Sequence, residues 1–196
     1  MRLGVAIDGD FPALVEQARA AERSGLDFVG LEETPRTGPP LLTVAALAPL
    51  TRTLRFVAAV SADDHPLAIA EAAVVADNCC NGRLVLFMPA GETADAVRLA
   101  LRARPFRFEG ARWTIPANRP ENDGATEQIV VTPPSAQLSI PLWTEFPDDV
   151  TLHRDADIAH LASFVRPRRT QYPLPDGLEA YWDAELADQI RRMPSP

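Results

Sequence analysis

Short apolar segments alternate with helix-forming segments through the first hundred residues, and this alternation constrains the fold more than any other feature. Strands that are apolar on both faces are typical of a parallel sheet covered by helices. Right-handed crossovers between such strands give either an open doubly wound sheet or part of a β/α barrel. The predicted strands are residues 3–7, 27–31, 53–60 and 83–88, and the predicted helices are residues 11–25, 39–51, 66–80 and 92–102.

The helix boundaries carry local signals of their own. Asp10 can cap the first helix, Pro12 suits its first turn, and Gly25 ends it. Pro66 opens the third helix, and Pro49 disturbs the end of the second. We therefore expect four β-α units joined by short turns.

Two common phosphate-binding patterns and the usual metal-binding patterns do not occur in the sequence. The turn after the first strand reads AIDGD, without the glycine spacing of dinucleotide-binding folds, and there is no Walker A loop. No Cys-x-x-Cys or His-x-x-x-His spacing occurs, so we expect no metal site. Cys79 and Cys80 are adjacent, and neighbouring cysteines rarely form an unstrained disulfide. We expect reduced thiols that pack at a helix end, with a redox role as the alternative.

The charge and the start of the chain exclude several classes of function. A formal net charge of -8 argues against a nucleic-acid surface. The chain runs from Met1 directly into strand-like sequence, which predicts no signal peptide. No apolar run approaches the roughly 20 residues that span a bilayer. We expect a cytoplasmic protein that binds a small molecule or another protein, and neither nucleic acid nor a membrane.

The pattern changes after Pro105, since twelve of the nineteen prolines lie from this residue onward. Alternation predicts a hairpin at residues 106–113, followed by a polar loop at 116–126 and a short strand at 128–131. A further apolar run predicts a fifth parallel strand at residues 140–144. A short helix is expected at residues 147–153, and residues 157–165 form either a sixth strand or a helix.

The end of the chain is predicted to be separate from the barrel-like part. We assign residues 1–165 to a partial β/α barrel and residues 166–196 to a proline-rich linker and a C-terminal helix. The helix, residues 178–193, carries one apolar stripe formed by Leu178, Trp182, Leu186 and Ile190.

The order of several short motifs resembles the bacterial luciferase-like, flavin-dependent oxidoreductases. These motifs are QARAAERSGLDFVGLEE, ALAPLTRTLRFVAAV and HPLAIAEAAVVADNCCNGRLVLFMPAG, followed by FEGARW and VTPPSAQLSIPLW. The resemblance spans roughly residues 1–146 and implies a truncated luciferase-like (β/α) TIM barrel with about five to six parallel strands. In this context Arg83 is expected to hold the helix-strand turn through Asp77.

The chain departs from the family pattern in three ways. Family members resemble complete barrels of well over 250 residues, and this sequence of 196 residues has no room for the later strands that hold the flavin phosphate. No histidine follows the second strand, where the chain reads Glu32-Glu33-Thr34, and Cys80 occupies the place of a serine. In shape we expect it to be similar to the non-fluorescent flavoprotein, a shortened luciferase relative that lacks part of the barrel.

Candidate site residues come from the carboxyl ends of the strands, where β/α barrels carry their chemistry. His65 can transfer a proton near neutral pH, or it simply caps a helix. Glu33, together with Glu32, is either an acid/base or substrate contact or a solvated loop acid. We therefore predict His65 and Glu33 as catalytic residues. The predicted cofactor contacts are Ser61, Met88, Ala90 and Gly91, of which the small residues allow close approach of a flat ring.

The resemblance implies oxidation of a small organic substrate by reduced flavin and oxygen, carried out by this chain or by an enzyme of which it is a subunit. The cofactor would be reduced FMN, or a deazaflavin in its place. The alternatives are a non-catalytic partner subunit without cofactor and a carrier of flavin or another small ligand. Family members commonly pair through their early helices, so we expect a homodimer or a heterodimer with a luciferase-like subunit.

Overall fold

A computed structural model describes residues 2–117, 128–154, 157–158 and 160–161. Four helices and eight strands lie within these residues. The helices are α1 (Phe11–Arg23), α2 (Pro40–Leu47), α3 (Pro66–Cys79) and α4 (Glu92–Ala100). The strands are β1 (Arg2–Ala6), β2 (Phe28–Leu31), β3 (Arg55–Ala59), β4 (Leu84–Phe87), β5 (Phe108–Glu109), β6 (Thr114–Ile115), β7 (Leu142–Trp143) and β8 (Val150–His153).

Six parallel strands form one curled sheet in the order β7-β4-β3-β2-β1-β8. From β1 to β7 each crossover moves to the next position in the same direction, whereas a doubly wound sheet reverses at a switch point. The sheet is therefore a half-barrel, and the predicted truncated TIM barrel of five to six strands is confirmed.

The two faces of the sheet are covered differently. The convex face packs against all four helices and forms the main core, in which Val29, Phe56 and Leu84 are fully buried. The concave face carries a second, smaller cluster around Phe28 and Val57, which contains no helical residue. Side chains alternate between the two faces along each strand, as the pleat of a β-strand requires.

Glycine on two strands makes room for the concave cluster. A Cβ atom at Gly4 would lie 2.4 Å from the ring of Phe28, its partner in register on β2. A Cβ atom at Gly30 would lie 3.1 Å from a methyl group of Leu152 on β8. The barrel interior is thus filled by side chains from neighbouring strands that occupy the space over these glycines.

The predicted helix boundaries are confirmed in the first hundred residues. Asp10 Oδ1 accepts a hydrogen bond from the Ala13 amide at 3.1 Å, and Gly25 follows α1 with a positive φ of 74°. Helix α2 ends at Leu47 and continues as a short 3-10 turn that contains Pro49. These boundaries follow from local chemistry, namely a cap, a left-handed glycine and a proline.

Glu22 joins the end of α1 to the turn before β3. Its Oε1 accepts hydrogen bonds from the amides of Arg52, Thr53 and Leu54 at 2.8, 2.7 and 3.1 Å. Burial raises the pKa of Glu22, but these amide hydrogen bonds outweigh it and hold the pKa below its ordinary value.

Arg83 holds the turn between α3 and β4, as predicted, but the predicted partner is wrong. Its guanidinium donates to the carbonyl oxygens of Cys80, Leu54 and Ala48 at 2.7–2.9 Å. The carboxylate of Asp77 is buried and instead accepts from the amide and the side chain of Gln137 at 3.1 and 2.7 Å. A buried carboxylate is satisfied here by a glutamine that comes sixty residues later in the chain.

The second half of the chain follows the prediction less closely. The hairpin is confirmed, with β5 and β6 antiparallel, and so is a fifth parallel strand, β7. The predicted strand at residues 128–131 is reduced to an isolated antiparallel bridge between Phe106 and Ile129.

The short helix predicted at residues 147–153 is wrong. Val150–His153 is strand β8, which pairs with β1 from Arg2↔Val150 to Val5↔His153. The free edge of β1 supplies a partner that local sequence does not reveal. Of the undecided segment 157–165, the described residues Ile158, His160 and Leu161 are helical. The predicted linker and C-terminal helix, and most of the loop predicted at 116–126, lie outside the described residues.

Candidate functional site

The loops after the strands form two distinct regions at the carboxyl end of the sheet. The first, called the mouth, is the opening of the concave face. The second, called the hairpin contact, is where the β5–β6 hairpin meets the loops after β3 and β4. The mouth is lined by Gly30, Leu31, Glu32, Val57, Ala59, Phe87, Phe146, Leu152 and Arg154.

Aromatic side chains fill the mouth. Phe146 stacks on Phe87 with ring centroids 4.7 Å apart and also lies 5.9 Å from Trp143. Leu152 of β8 closes the opposite side. The remaining cavity measures about 10 Å³, which is room for roughly one water molecule.

A charged pair spans the rim of the mouth. Arg154, directly after β8, donates a hydrogen bond to Glu32, directly after β2. This hydrogen bond lowers the pKa of the Glu32 carboxyl, burial opposes the shift, and the charge of Arg154 adds to it. Arg154 was not among the predicted site residues, because residues 147–153 were taken for a helix rather than for a strand that ends at this rim.

Glu32, and not the neighbouring Glu33, lines the mouth. Alternation along β2 places Phe28, Gly30 and Glu32 on the concave side, whereas Leu31, which also borders the cavity, is buried in the convex core. Glu33 is exposed and is not among the residues that line the cavity. Its predicted catalytic role stays a prediction.

The hairpin contact is organised by Glu92, the first residue of α4. Its carboxylate accepts hydrogen bonds from the amides of Ala111, Arg112 and Trp113 at 2.8–2.9 Å. The amide of Trp113 is the strongest cause of a lowered pKa at Glu92; burial opposes it and the other two amides add to it. Thr93 accepts from the Trp113 indole at 3.0 Å, so the hairpin is held by both backbone and side chain.

His65 lies beneath the hairpin. Its ring is 4.8 Å from Trp113 in an edge-to-face arrangement, and its Nδ1 accepts from the Leu67 amide at 3.2 Å. A neutral ring in this position carries its proton on Nε2. His65 therefore caps α3, and its exposed ring keeps one nitrogen for other contacts.

The predicted cofactor contacts divide between the surface and the core. Ser61, Ala90 and Gly91 are exposed: Ser61 lies on the loop after β3, which also carries His65, and Ala90 and Gly91 lie on the loop after the neighbouring strand β4. The Ser61 hydroxyl accepts from the Asp63 amide at 3.1 Å. Met88 is fully buried in the convex core, because it follows β4 on the helix side. The predicted role of these four residues in cofactor binding stays a prediction.

Asp8 fixes the loops after β1 and β2. Its Oδ1 accepts hydrogen bonds from the hydroxyls of Thr37 and Thr34 at 2.6 and 2.8 Å, and these lower its pKa. Asp8 directly follows β1, and both threonines follow β2. Asp8 therefore holds the loops after these two neighbouring strands together.

Neither a metal-binding cluster nor a membrane-spanning helix occurs in the part of the chain that the structure describes. Among the residues that the structure describes, no group of three or more histidine, cysteine, aspartate or glutamate side chains could hold a metal ion. Within the same residues, every helix is too short or too polar to cross a bilayer.

Comparison with known proteins places this geometry in context. The profile of the luciferase-like monooxygenase family matches residues 3–112, more than half of the chain. Comparison with curated proteins gave no match.

Solved structures share the fold at low identity. The monooxygenase RslO1 from Streptomyces bottropensis has a TM-score of 0.57 and 21% identity, over 72% of this chain and 52% of that one. The coenzyme F420-dependent tetrahydromethanopterin reductase from Methanopyrus kandleri has a TM-score of 0.58 and 16% identity, over 72% of this chain and 49% of that one. The oxygenating constituent of 3,6-diketocamphane monooxygenase from Pseudomonas putida, in complex with FMN, has a TM-score of 0.51 and 19% identity, over 78% of this chain and 51% of that one. The chain spans about half the length of these structures.

Proposed function

Because the chain belongs to the luciferase-like monooxygenase family, we propose that it is a subunit of a flavin-dependent monooxygenase that oxidises a small organic substrate with reduced flavin and oxygen. In this assembly the flavin is held by a luciferase-like partner, and this chain supports the partner. The proposal rests on the filled mouth.

The mouth does not fit a flavin as the described residues form it. Pockets that hold cofactors measure roughly 300–1,000 Å³, whereas the mouth holds about 10 Å³. The stacked rings of Phe87 and Phe146 occupy the space where a flat heterocycle would lie. The Glu32–Arg154 pair closes the rim above them. A small-ligand carrier role for the mouth loses support for the same reason.

The outer surface of α2 and α3 supports a subunit role. Leu42 and Val75 are 65% and 50% exposed, and within these two fully described helices Glu71 is the one exposed charged residue. Helices that are apolar all round are usually covered on both sides. Helices α1 and α4 instead expose charged residues such as Arg19 and Asp95. We therefore place the interface with a second copy or a luciferase-like partner on α2 and α3.

Flavin titration tests where the cofactor binds. The purified full chain is titrated with FMN, reduced FMN and a deazaflavin, alone and mixed with a full-length luciferase-like protein. We expect binding and substrate oxidation only in the mixture. Stoichiometric binding of any of the three by this chain alone would overturn the proposed division of roles.

Sedimentation tests the interface. Val75→Asp places a charge on the outer face of α3 and should convert the assembly to the monomer. Arg19→Asp, on the outer face of α1, is the matched control and should leave the assembly intact. An unchanged mass for Val75→Asp would remove α2 and α3 from the interface.

A second candidate is a flavin site on this chain itself, at the hairpin contact. It is favoured by the exposed small residues Ala90 and Gly91, which follow β4, the strand next to the one that precedes Ser61 and His65. The cofactor would be reduced FMN or a deazaflavin, with His65 and Glu33 as the proton-handling groups.

The His65→Asn variant tests this candidate, because asparagine can still cap α3 but cannot titrate. The candidate is established if the wild-type chain binds flavin without a partner and the His65→Asn variant loses turnover while its melting temperature is unchanged. Full turnover in the variant would exclude His65 from catalysis.

A further inference from the structure

A groove lies at the opposite end of the sheet from the mouth. It is formed where α4 ends and where the chain approaches the amino end of β7, and it has a volume of about 480 Å³. This volume is within the range of small-molecule sites. We call it the arginine groove; its lining residues are Leu99, Arg102, Arg104, Pro105, Phe106, Leu138 and Ser139.

The positive charge of the groove is local. The segment from residue 98 to residue 112 contains five arginines in a chain of net charge -8. Three of them form ion pairs with carboxylates: Arg98 with Asp95, Arg107 with Glu109, and Arg112 with Asp63.

The remaining two arginines, Arg102 and Arg104, line the groove. Both are exposed, and among the described residues no carboxylate is bonded to either guanidinium. A guanidinium binds a carboxylate or a phosphate through two parallel hydrogen bonds. Two such groups on one groove therefore favour an anionic ligand.

The other walls of the groove are apolar. Leu138 is fully exposed, with its side chain projecting into solvent at the groove. Phe106 is buried at the base, and Leu99 and Pro105 contribute further apolar surface. An inorganic anion would leave this surface in water, whereas an apolar chain or ring attached to the anion would cover it.

We propose that the arginine groove binds an amphipathic organic anion, with a carboxylate or phosphate head on Arg102 and Arg104 and an apolar tail along Leu138 and Phe106. The site is separate from the mouth and the hairpin contact, so its test does not depend on the proposed monooxygenase role.

Calorimetric titration of the full chain tests the proposal with four probes: octanoate, octyl phosphate, octanol and inorganic phosphate. We expect octanoate or octyl phosphate, or both, to bind at least tenfold more tightly than octanol and inorganic phosphate. The tighter of the two identifies the head group. Equal affinity for octanol would overturn the role of the arginines, and equal affinity for inorganic phosphate would overturn the role of the apolar wall.

Variants locate the binding in the groove. The double variant Arg102→Gln/Arg104→Gln should weaken the tighter probe at least tenfold, and Leu138→Ser should weaken it severalfold. Arg19→Gln/Arg23→Gln, two exposed arginines of α1, is the matched control and should leave the affinity unchanged. Failure of both octyl probes to bind the folded wild-type chain, or equal loss in the control, overturns the proposal.

Discussion

The convex and concave faces of one sheet are stabilised in different ways. The convex face is covered by four helices that come from the same β-α units as the strands. The concave face is covered by Trp143, Phe146 and Leu152, which come from a segment far along the chain. The repeating β-α pattern therefore builds the scaffold, while residues outside the pattern decide whether the barrel mouth is open.

The largest change in the free energy of unfolding is expected in the convex core, and a matched variant measures the concave face. Phe56→Ala removes a fully buried ring from the convex core and should lower the free energy of unfolding by about 3–5 kcal/mol. Phe146→Ala removes a half-buried ring from the mouth and should cost about 1–2 kcal/mol. Urea denaturation measures both. Equal losses would show that the concave cluster is as much a core as the convex one.

A pair of glycine variants sharpens the description of the concave face. Gly4→Ala puts a methyl group 2.4 Å from the Phe28 ring and should cost about 1–3 kcal/mol through overpacking. Gly30→Ala meets flexible Leu152 methyl groups at 3.1 Å and should cost less. Melting temperatures rank the two variants. If Gly30→Ala is the more damaging, β8 packs more rigidly than the contacts suggest.

The carboxylates on the two faces have lowered pKa values for different reasons. At Glu22 burial raises the pKa and backbone amides outweigh it, whereas at Glu32 the hydrogen bond from Arg154 lowers the pKa. Glu22 on the helix side is bonded to backbone amides, so its stabilising contribution is present above the unfolded-state pKa of about 4.3 and is lost as pH falls through the lower folded-state pKa. Glu22→Gln should cost about 1–3 kcal/mol at pH 7 and reduce the loss of stability between pH 5 and pH 3. An unchanged pH profile in Glu22→Gln would contradict this assignment.

The smallest effect is expected at the rim of the mouth. The Glu32–Arg154 pair is substantially exposed, so Glu32→Gln should change the free energy of unfolding by at most about 1 kcal/mol. Glu33→Gln, the exposed neighbour, is the matched control and should change nothing measurable. A loss at Glu32 well above this range would mean that the pair is a main support of the closed mouth.

Much of the first hundred residues was predictable, because its signals are local. The strand and helix positions, the Asp10 cap and the end of α1 at Gly25 follow from periodicity and capping chemistry. The strand-end rule also identified the loops that carry Ser61, His65 and Gly91. The partner of Arg83 was mistaken because two of its carbonyl acceptors, Leu54 and Ala48, lie in the distant connection between α2 and β3 and leave no trace in local sequence.

The mouth was the part least accessible to prediction. Alternation along β2 could have favoured Glu32 over Glu33, since Phe28 and Gly30 share its face. Arg154 could be found only by recognising Val150–His153 as a strand. Phe146 lies between two predicted elements, residues 140–144 and 147–153, and its stack on Phe87 depends on the folded sheet.

The parallel β/α scaffold could be predicted from the sequence, because helix and strand periodicity and caps act within a few residues. The family was indicated by the resemblance in the order of the motifs. The pairing of β8 with the free edge of β1 and the filling of the concave face by aromatic residues became apparent only from the folded chain. These contacts join residues more than fifty positions apart, for instance Phe87 and Phe146. Such pairings depend on which edges and surfaces the folded sheet leaves open.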